Sequence, residues 1–302
     1  MQLIRYRSPA GAITVALATD DRRILPFPNA HTTLHDLLHL RAAELRAYIE
    51  QVARLSMYNH TGRSDTEIAS RLAPLDGETE VWAAGVTYKR SEEARREESD
   101  TPDIYSRVYS AKRPELFFKA TPRRVSGPLQ PVAIRSDSTW DVPEPELAIV
   151  TNTYGEIVGY TVGNDMSSRS IEGENPLYLP QAKVYAGSCA IGPGITPAWE
   201  LPNPYSLTIR MHIERGGKKC WEGHTSTRGL KRRLHHLAQY LYGEDVFPDG
   251  ALLCTGTALV PDHPLTLQQG DIVEITIDRL GTLRNPVVKG KAAFLASKAQ
   301  GA

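Results

Sequence analysis

The sequence predicts an α+β, β-rich protein: a small N-terminal α/β unit over residues 1–75 and a larger domain over residues 76–302 built as a mixed β-sandwich roll. Three observations predict it. The 302-residue chain is 41% hydrophobic, enough for one large core plus a small one. Its first third carries one long stretch of helical periodicity. From Val81 onward the pattern changes to short apolar runs separated by turn residues.

In order along the chain, Gln2 to Tyr6 and Ala12 to Ala18 read as strands. A helix is expected from about Thr33 to Leu55, because Leu34, Leu37, Leu38, Leu45, Ile49 and Val52 recur at helical spacing. Thr32 or Thr33 can cap it, and Asp36 favours the dipole of its first turn. The polar segment from Asn59 to Glu80, with Pro74 and Asp76-Gly77, reads as a connector, which places the boundary near residue 75. Beyond it come VWAAG, ELFFKA, PVAIR, ELAIV, EIVGYTV, SLTIRMHIE, ALLCTG and DIVEITID, each a strand by length and composition. Gly216-Gly217 turns residues 207–213 back into a partner strand from Lys218 to Trp221. One helix interrupts the strands, where Leu230, Leu234, Leu237 and Leu241 form a stripe; Lys231, Arg232 and Arg233 are expected on its solvated face.

Acidic and basic residues balance at 35 each, so nothing in the charge points to nucleic acid or a membrane surface. Cys189, Cys220 and Cys254 lie far apart with no metal or redox spacing and read as reduced, buried thiols. The N-terminus lacks a signal-like stretch and no run approaches the roughly 20 apolar residues of a span, so a cytoplasmic location is expected. The nine histidines form no convincing ligand set.

The chemistry concentrates in VPEPELAIV, residues 142–150. Acids two apart on a strand share a face, so Glu144 and Glu146 point together. At a separation of about 7 Å and an effective dielectric near 20 they repel by roughly 2 kcal/mol, so a positive partner is expected there. A hairpin turn around Tyr154-Gly155 comes next; pairing Thr153 with Glu156 sets Asp165 opposite Glu144. Three carboxylates suit a hard cation, Mg²⁺ first, with Mn²⁺ or Ca²⁺ as alternatives. The competing reading is two exposed glutamates on a hairpin.

These residues resemble a known family. Glu144 to Val150 is similar to the E-x-E-L-a-x-V metal motif of the fumarylacetoacetate hydrolase superfamily, and GYTVGNDMSSR (159–169) resembles the segment that carries its third carboxylate, here Asp165. Lys183 in QAKVYAGS stands at the place of the family's active-site lysine; Cys254-Thr255-Gly256-Thr257, Pro261, Leu267 to Asp271, and Gly85-Val86-Thr87-Tyr88 match further motifs in order. The resemblance covers about residues 81–290 and implies the superfamily's roll, with assembly as a homodimer or homotetramer. Where its hydrolases carry a water-activating histidine, this chain has Ser91, and serine cannot act as that base. VTYKRSEEARREES and YSAKRPELFFKAT instead look like the branch containing 2-keto-3-deoxy-D-arabinonate dehydratase.

That resemblance implies a hydro-lyase acting on a small 2-keto-3-deoxy sugar acid, in pentose catabolism, with 2-oxoglutarate semialdehyde as product. The alternatives are a C–C hydrolase or decarboxylase of a dioxo acid, and a non-catalytic metal or ligand-binding relative. Elimination needs a base near C3 and an acid near O4. Lys183 is the expected base, its pKa lowered by a neighbouring dication, against an ordinary ion pair with the acids. Glu115 is the expected acid, raised by apolar neighbours, against a salt bridge to Arg113 or a nearby lysine. Thr257 is a candidate for the substrate carboxylate, against a buried turn hydroxyl. Ser91 is a candidate for orienting water or substrate, against a helix N-cap before EEARREE. Residues 89–103, almost without apolar side chains, are expected to form a mobile lid, against an exposed charged helix paired through Glu92 and Arg96.

Overall fold

The structure, a computed structural model, describes residues 1–29, 31–58, 63–64, 68–98 and 101–300. Among the described residues, two large sheets face one another. One, of twelve strands, runs from the N-terminal hairpin (Gln2–Arg7, Ile13–Ala18) through Cys189–Pro197, Ile157–Asp165, Pro145–Thr151, Ala251–Cys254 and Glu80–Gly85 to Glu115–Ala120. The other, of five, orders Lys218–Ser226, Thr208–Arg215, Ile272–Ile277, Gly281–Lys289 and Val132–Ile134. This is the expected strand-rich sandwich. All eight apolar runs named from the sequence lie in strands, and Gly216-Gly217 closes the expected hairpin.

The central strands of the large sheet bury both faces. Leu147, Ile149 and Val162 meet Ile209, Ile275 and Leu283 of the second sheet. Ala148, Val150, Leu252 and Val81 meet Leu45, Ile49 and Val52 of the Ala42–Tyr58 helix. Alternating apolar residues on both faces leave Pro145–Thr151 buried throughout, so its acidic end is fixed by packing on either side.

Several expectations need revision. The single helix over 33–55 is two, Leu34–Leu38 and Ala42–Tyr58. Thr33 and Asp36 form a reciprocal capping box at the first, whereas the Glu44 and Glu156 carboxylates accept the N–H groups of Arg41 and Ala42 and start the second afresh. The helix expected around Leu230 begins only at Leu234, and the basic triplet precedes it. Lys231 and Arg233 are exposed as expected, but off the helix; Lys231 and Arg232 donate to the carbonyls of Tyr109, Val108 and Lys112 at the end of the Pro102–Ser110 helix. Cys220 is exposed, although Cys189 and Cys254 are buried thiols as expected. The strand Cys189–Pro197 escaped reading because Gly192, Pro193 and Gly194 break up its apolar pattern, yet it lies at the middle of the sheet.

Residues 1–75 share both sheet and core with the larger domain. Leu3 pairs with Ile195, and Leu3, Val15, Leu17 and Leu25 pack in one core with Ile191 and Leu252. Of the connector, residues 59–62 and 65–67 lie outside the described residues; Ser70–Leu72 pairs with the first strand. Among the described residues no helix is long and apolar enough to cross a membrane.

Candidate active site

The hairpin formed by Pro145–Thr151 and Ile157–Asp165 builds the site. Pro145 pairs with Asn164, and the Asp165 N–H donates to the Glu144 carbonyl at 3.0 Å, which sets Asp165 opposite Glu144 as the sequence suggested. At the turn the pairing differs: Asn152, not Thr153, bonds Glu156, and a bulge at Val150/Thr151 restores the register towards the acids. Carboxylate oxygens of Glu144, Glu146 and Asp165 lie within 4.8 Å of one another, all buried. Among the described residues they form the only grouping of three acids, histidines or cysteines close enough to share an ion. An all-oxygen, charge-rich and buried donor set fits a hard divalent cation. The reading of two exposed glutamates is excluded, since Glu144 and Glu146 are 3% and 1% exposed.

Four cations face these acids. The Lys183 ammonium, at the end of the short Leu179–Lys183 helix, donates to Glu144 Oε2 at 2.8 Å, Asp165 Oδ2 at 3.2 Å and Ser167 Oγ at 2.5 Å. Lys119 pairs with Asp165 Oδ1. Arg95 and Arg169 both reach Glu144 Oε1, and Arg95 also holds Glu172 at 2.5 Å. Glu146 takes the Gly256 N–H at 2.6 Å. Gly256 has φ +92, and a Cβ there would lie 2.0 Å from Thr87 Oγ1, so this donor position admits only glycine.

Burial opposes charge on Glu144, but Lys183, Arg169 and Arg95 outweigh it and hold its carboxyl well below the usual range. Glu146 lacks such partners: burial, then the Asp165 and Glu144 carboxylates, push it well above. Burial works against the Lys183 cation, yet Asp165, Glu144 and Glu172 prevail and raise its pKa. The expected lowering is therefore not a property of the protein alone: its acids hold this amine protonated. Burial and then the Glu172 carboxylate raise Glu115, the direction an acid needs. Arg113, named as its rival partner, lies over the Tyr240 ring instead. The Glu115 carboxyl occupies the space that a Cβ on Gly85 would fill, with Oε2 2.1 Å from that position.

Ser91, Glu115, Lys183, Thr257 and the three acids all line one cavity, with Arg95, Tyr105 and Glu172. Among the described residues no histidine lines it. The Thr257 hydroxyl folds back on its own turn, donating to the Leu259 carbonyl at 3.1 Å. Ser91 lies inside the Lys89–Glu98 helix rather than at its N-cap. That helix and Pro102–Ser110 cover the cavity as a flap, with Ser99 and Asp100 outside the described residues. The Glu92–Arg96 pair is present at 3.6 Å, but the helix is not an exposed one: Glu92, Ala94 and Arg95 are buried, and Arg95 enters the site. Only about 20 Å³ beneath the flap admits the centre of a water molecule, against about 290 Å³ in the neighbouring pocket lined by Arg90, Ser91, Arg169, Trp221 and Thr257. An ion fits under the closed flap and a sugar acid does not.

Lys119, Arg95, Arg169 and Glu172 also belong to this site, and the sequence signal for the first three is that they lie inside motif-matching segments: YSAKRPELFFKAT, VTYKRSEEARREES and GYTVGNDMSSR.

Comparison with known proteins gives the family. The model of the fumarylacetoacetate (FAA) hydrolase C-terminal family matches residues 80–288. A probable 2-keto-3-deoxyxylonate dehydratase of Haloferax volcanii is 54% identical over 71% of this chain and 73% of its own. The 2-dehydro-3-deoxy-D-arabinonate dehydratase of Saccharolobus solfataricus is 48% identical over 72% and 74%. A solved structure of 2-keto-3-deoxy-D-arabinonate dehydratase complexed with magnesium and 2,5-dioxopentanoate superposes with TM-score 0.78 at 36% identity, covering 96% of this chain and all of that one.

Proposed function

The chain belongs to the fumarylacetoacetate hydrolase family, and from its site we propose that it is a Mg²⁺-dependent dehydratase that converts a 2-keto-3-deoxypentonate to 2,5-dioxopentanoate. The observation that carries this reading is one closed cavity holding three carboxylates, a buried lysine and a carboxyl raised towards its acid form, with no histidine to activate water. In the D series the arabinonate and xylonate names describe one compound, because C2 and C3 carry no stereocentre.

Glu144, Glu146 and Asp165 would hold the cation, which when bound polarises the 2-oxo group and draws on the carboxylates that keep Lys183 protonated. Lys183 Nζ then takes a C3 proton. Glu115 donates its proton to the C4 hydroxyl as the C4–O bond breaks; water departs and leaves a 3,4-unsaturated 2-oxo acid, which loses a C5 proton and regains one at C3 to give the C4=C5 enol, and protonation of that enol at C4 with loss of its hydroxyl proton yields the aldehyde. Arg95 closes the flap over these steps and excludes bulk water. Ser91 and Thr257, which line both this cavity and the neighbouring pocket, are placed to orient the substrate's hydroxyls and carboxylate as they enter.

We include in the proposal a cytoplasmic homodimer or homotetramer and a boundary near residue 75, on the strength of the family resemblance; light scattering tests the assembly. The test of function is incubation with 2-keto-3-deoxy acids and dioxo acids plus Mg²⁺, with products weighed by mass spectrometry. Loss of one water is expected. Cleavage into two smaller acids would establish the hydrolase alternative instead.

A further inference from the structure

Each of the three carboxylates has one oxygen committed to a fixed donor. Gly256 N–H holds Glu146 Oε2 at 2.6 Å, Arg95 and Arg169 hold Glu144 Oε1 at 3.0 Å and 3.2 Å, and Lys119 holds Asp165 Oδ1. The two oxygens turned the other way, Glu144 Oε2 and Asp165 Oδ2, converge on the Lys183 ammonium.

Lys119 is the most constrained of these donors. It is 0% exposed; it donates to the backbone carbonyls of Met166 and Lys183 and forms an ion pair with Asp165 Oδ1. The carbonyls belong to the segments that carry Asp165 and Lys183, so the position of Nζ is set by backbone on both sides. Turning Asp165 so that both oxygens face an ion would strip this buried cation of its only counter-charge.

Carboxylate denticity separates divalent cations. Ca²⁺ takes six to eight oxygens and readily binds a carboxylate through both; Mg²⁺ demands octahedral geometry with one oxygen from each. We infer that Lys119 is a positioning residue that keeps Asp165 to a single free oxygen and thereby sets the preference of the triad for a small octahedral cation over Ca²⁺. The inference rests on the triad being the metal site and concerns which ion that site selects.

The test compares Lys119→Met with the wild-type chain by calorimetric titration with Mg²⁺ and with Ca²⁺, circular dichroism confirming the fold. The ratio of the two dissociation constants is expected to move about tenfold towards Ca²⁺ once the ion pair no longer holds Asp165 Oδ1. An unchanged ratio, or an equal loss of both ions, overturns the inference. Should the variant not fold, infrared difference spectra of wild-type protein labelled with [4-¹³C]aspartate decide the matter. Loading with Ca²⁺ must give the band separation of one-oxygen aspartate coordination, and a two-oxygen signature refutes the role of Lys119. Failure of the site assignment looks different: Mg²⁺ binding would then survive in Glu146→Gln.

Discussion

Replacing Glu146 by glutamine separates the metal role of the triad from its structural role, because the two respond with different signs. Carboxylate oxygens at 4.8 Å repel by about 3.5 kcal/mol at an effective dielectric near 20, and Glu146 faces two such neighbours. Without an ion the protein avoids most of that cost by raising the Glu146 pKa and keeping it protonated. Glutamine imitates the protonated acid in shape and charge, so in chelator Glu146→Gln should match wild-type stability within about 1 kcal/mol. With Mg²⁺ the outcome reverses. A lost ligand should cost affinity at least at the upper end of what outer-shell changes cost, about a hundredfold. At a hundred times its Kd an ion stabilises a fold by about 2.7 kcal/mol, roughly 5 °C or more in Tm for a chain of this size. Thermal melts in EDTA and in saturating Mg²⁺, with calorimetric titration, read both quantities. The reasoning is refuted by a variant that binds Mg²⁺ within threefold of wild type, or by one that loses several kcal/mol in chelator.

Lys183→Met should abolish both turnover and exchange of the C3 protons with deuterated solvent, whereas Glu115→Gln should slow water loss and leave part of that exchange; NMR of the C3 protons distinguishes them, and exchange persisting without Lys183 excludes it as the base. Asp141, 3% exposed and pushed up by burial to about 6, binds its proton more tightly folded than unfolded. Its contribution is therefore present below pH 3.8 and lost as pH rises through 6, so Asp141→Asn should remove up to about 2 kcal/mol of that decline. Denaturant titrations from pH 4 to pH 8 check it, and an unchanged slope rules Asp141 out. If the flap opens to admit a sugar acid and closes over it, hydrogen exchange over residues 89–98 should slow markedly on adding Mg²⁺ with a non-reactive 2-oxo acid, and identical exchange in both states would show that the flap takes no part.

The features legible in the sequence came from short-range rules. Two acids two apart on a strand, and a hairpin returning Asp165 beside them, are consequences of the strand period, and they hold although the turn itself is shifted. The apolar runs gave the strands for the same reason. Lys119 was hidden because a lysine closing an apolar run reads as the wet end of a strand, and its burial depends on Asp165, Met166 and Lys183 arriving from other elements. Arg95 was hidden by its neighbours: within EEARREE every charge but Glu97 has an opposite charge three or four residues away, and nothing in that spacing says that one arginine leaves the helix surface for Glu144 and Glu172. The long helix was over-read because its break at Arg41 depends on Glu156, more than a hundred residues on.

The flap closes almost entirely through charge. Its helices bring only Ala94 and Tyr105 into the interior among apolar side chains, while Arg95 joins Glu144 and Glu172, and Glu98 joins Arg169. Closure that buries so little hydrocarbon carries a small change in heat capacity, so the balance between open and closed shifts little with temperature. Ionic strength acts unevenly on it. The Arg90–Asp262 pair, 55% and 82% exposed at the flap's outer edge, is screened by physiological salt, whereas the buried Arg95 contacts are not. Counter-ions therefore loosen the rim of this gate and leave its bolt in place.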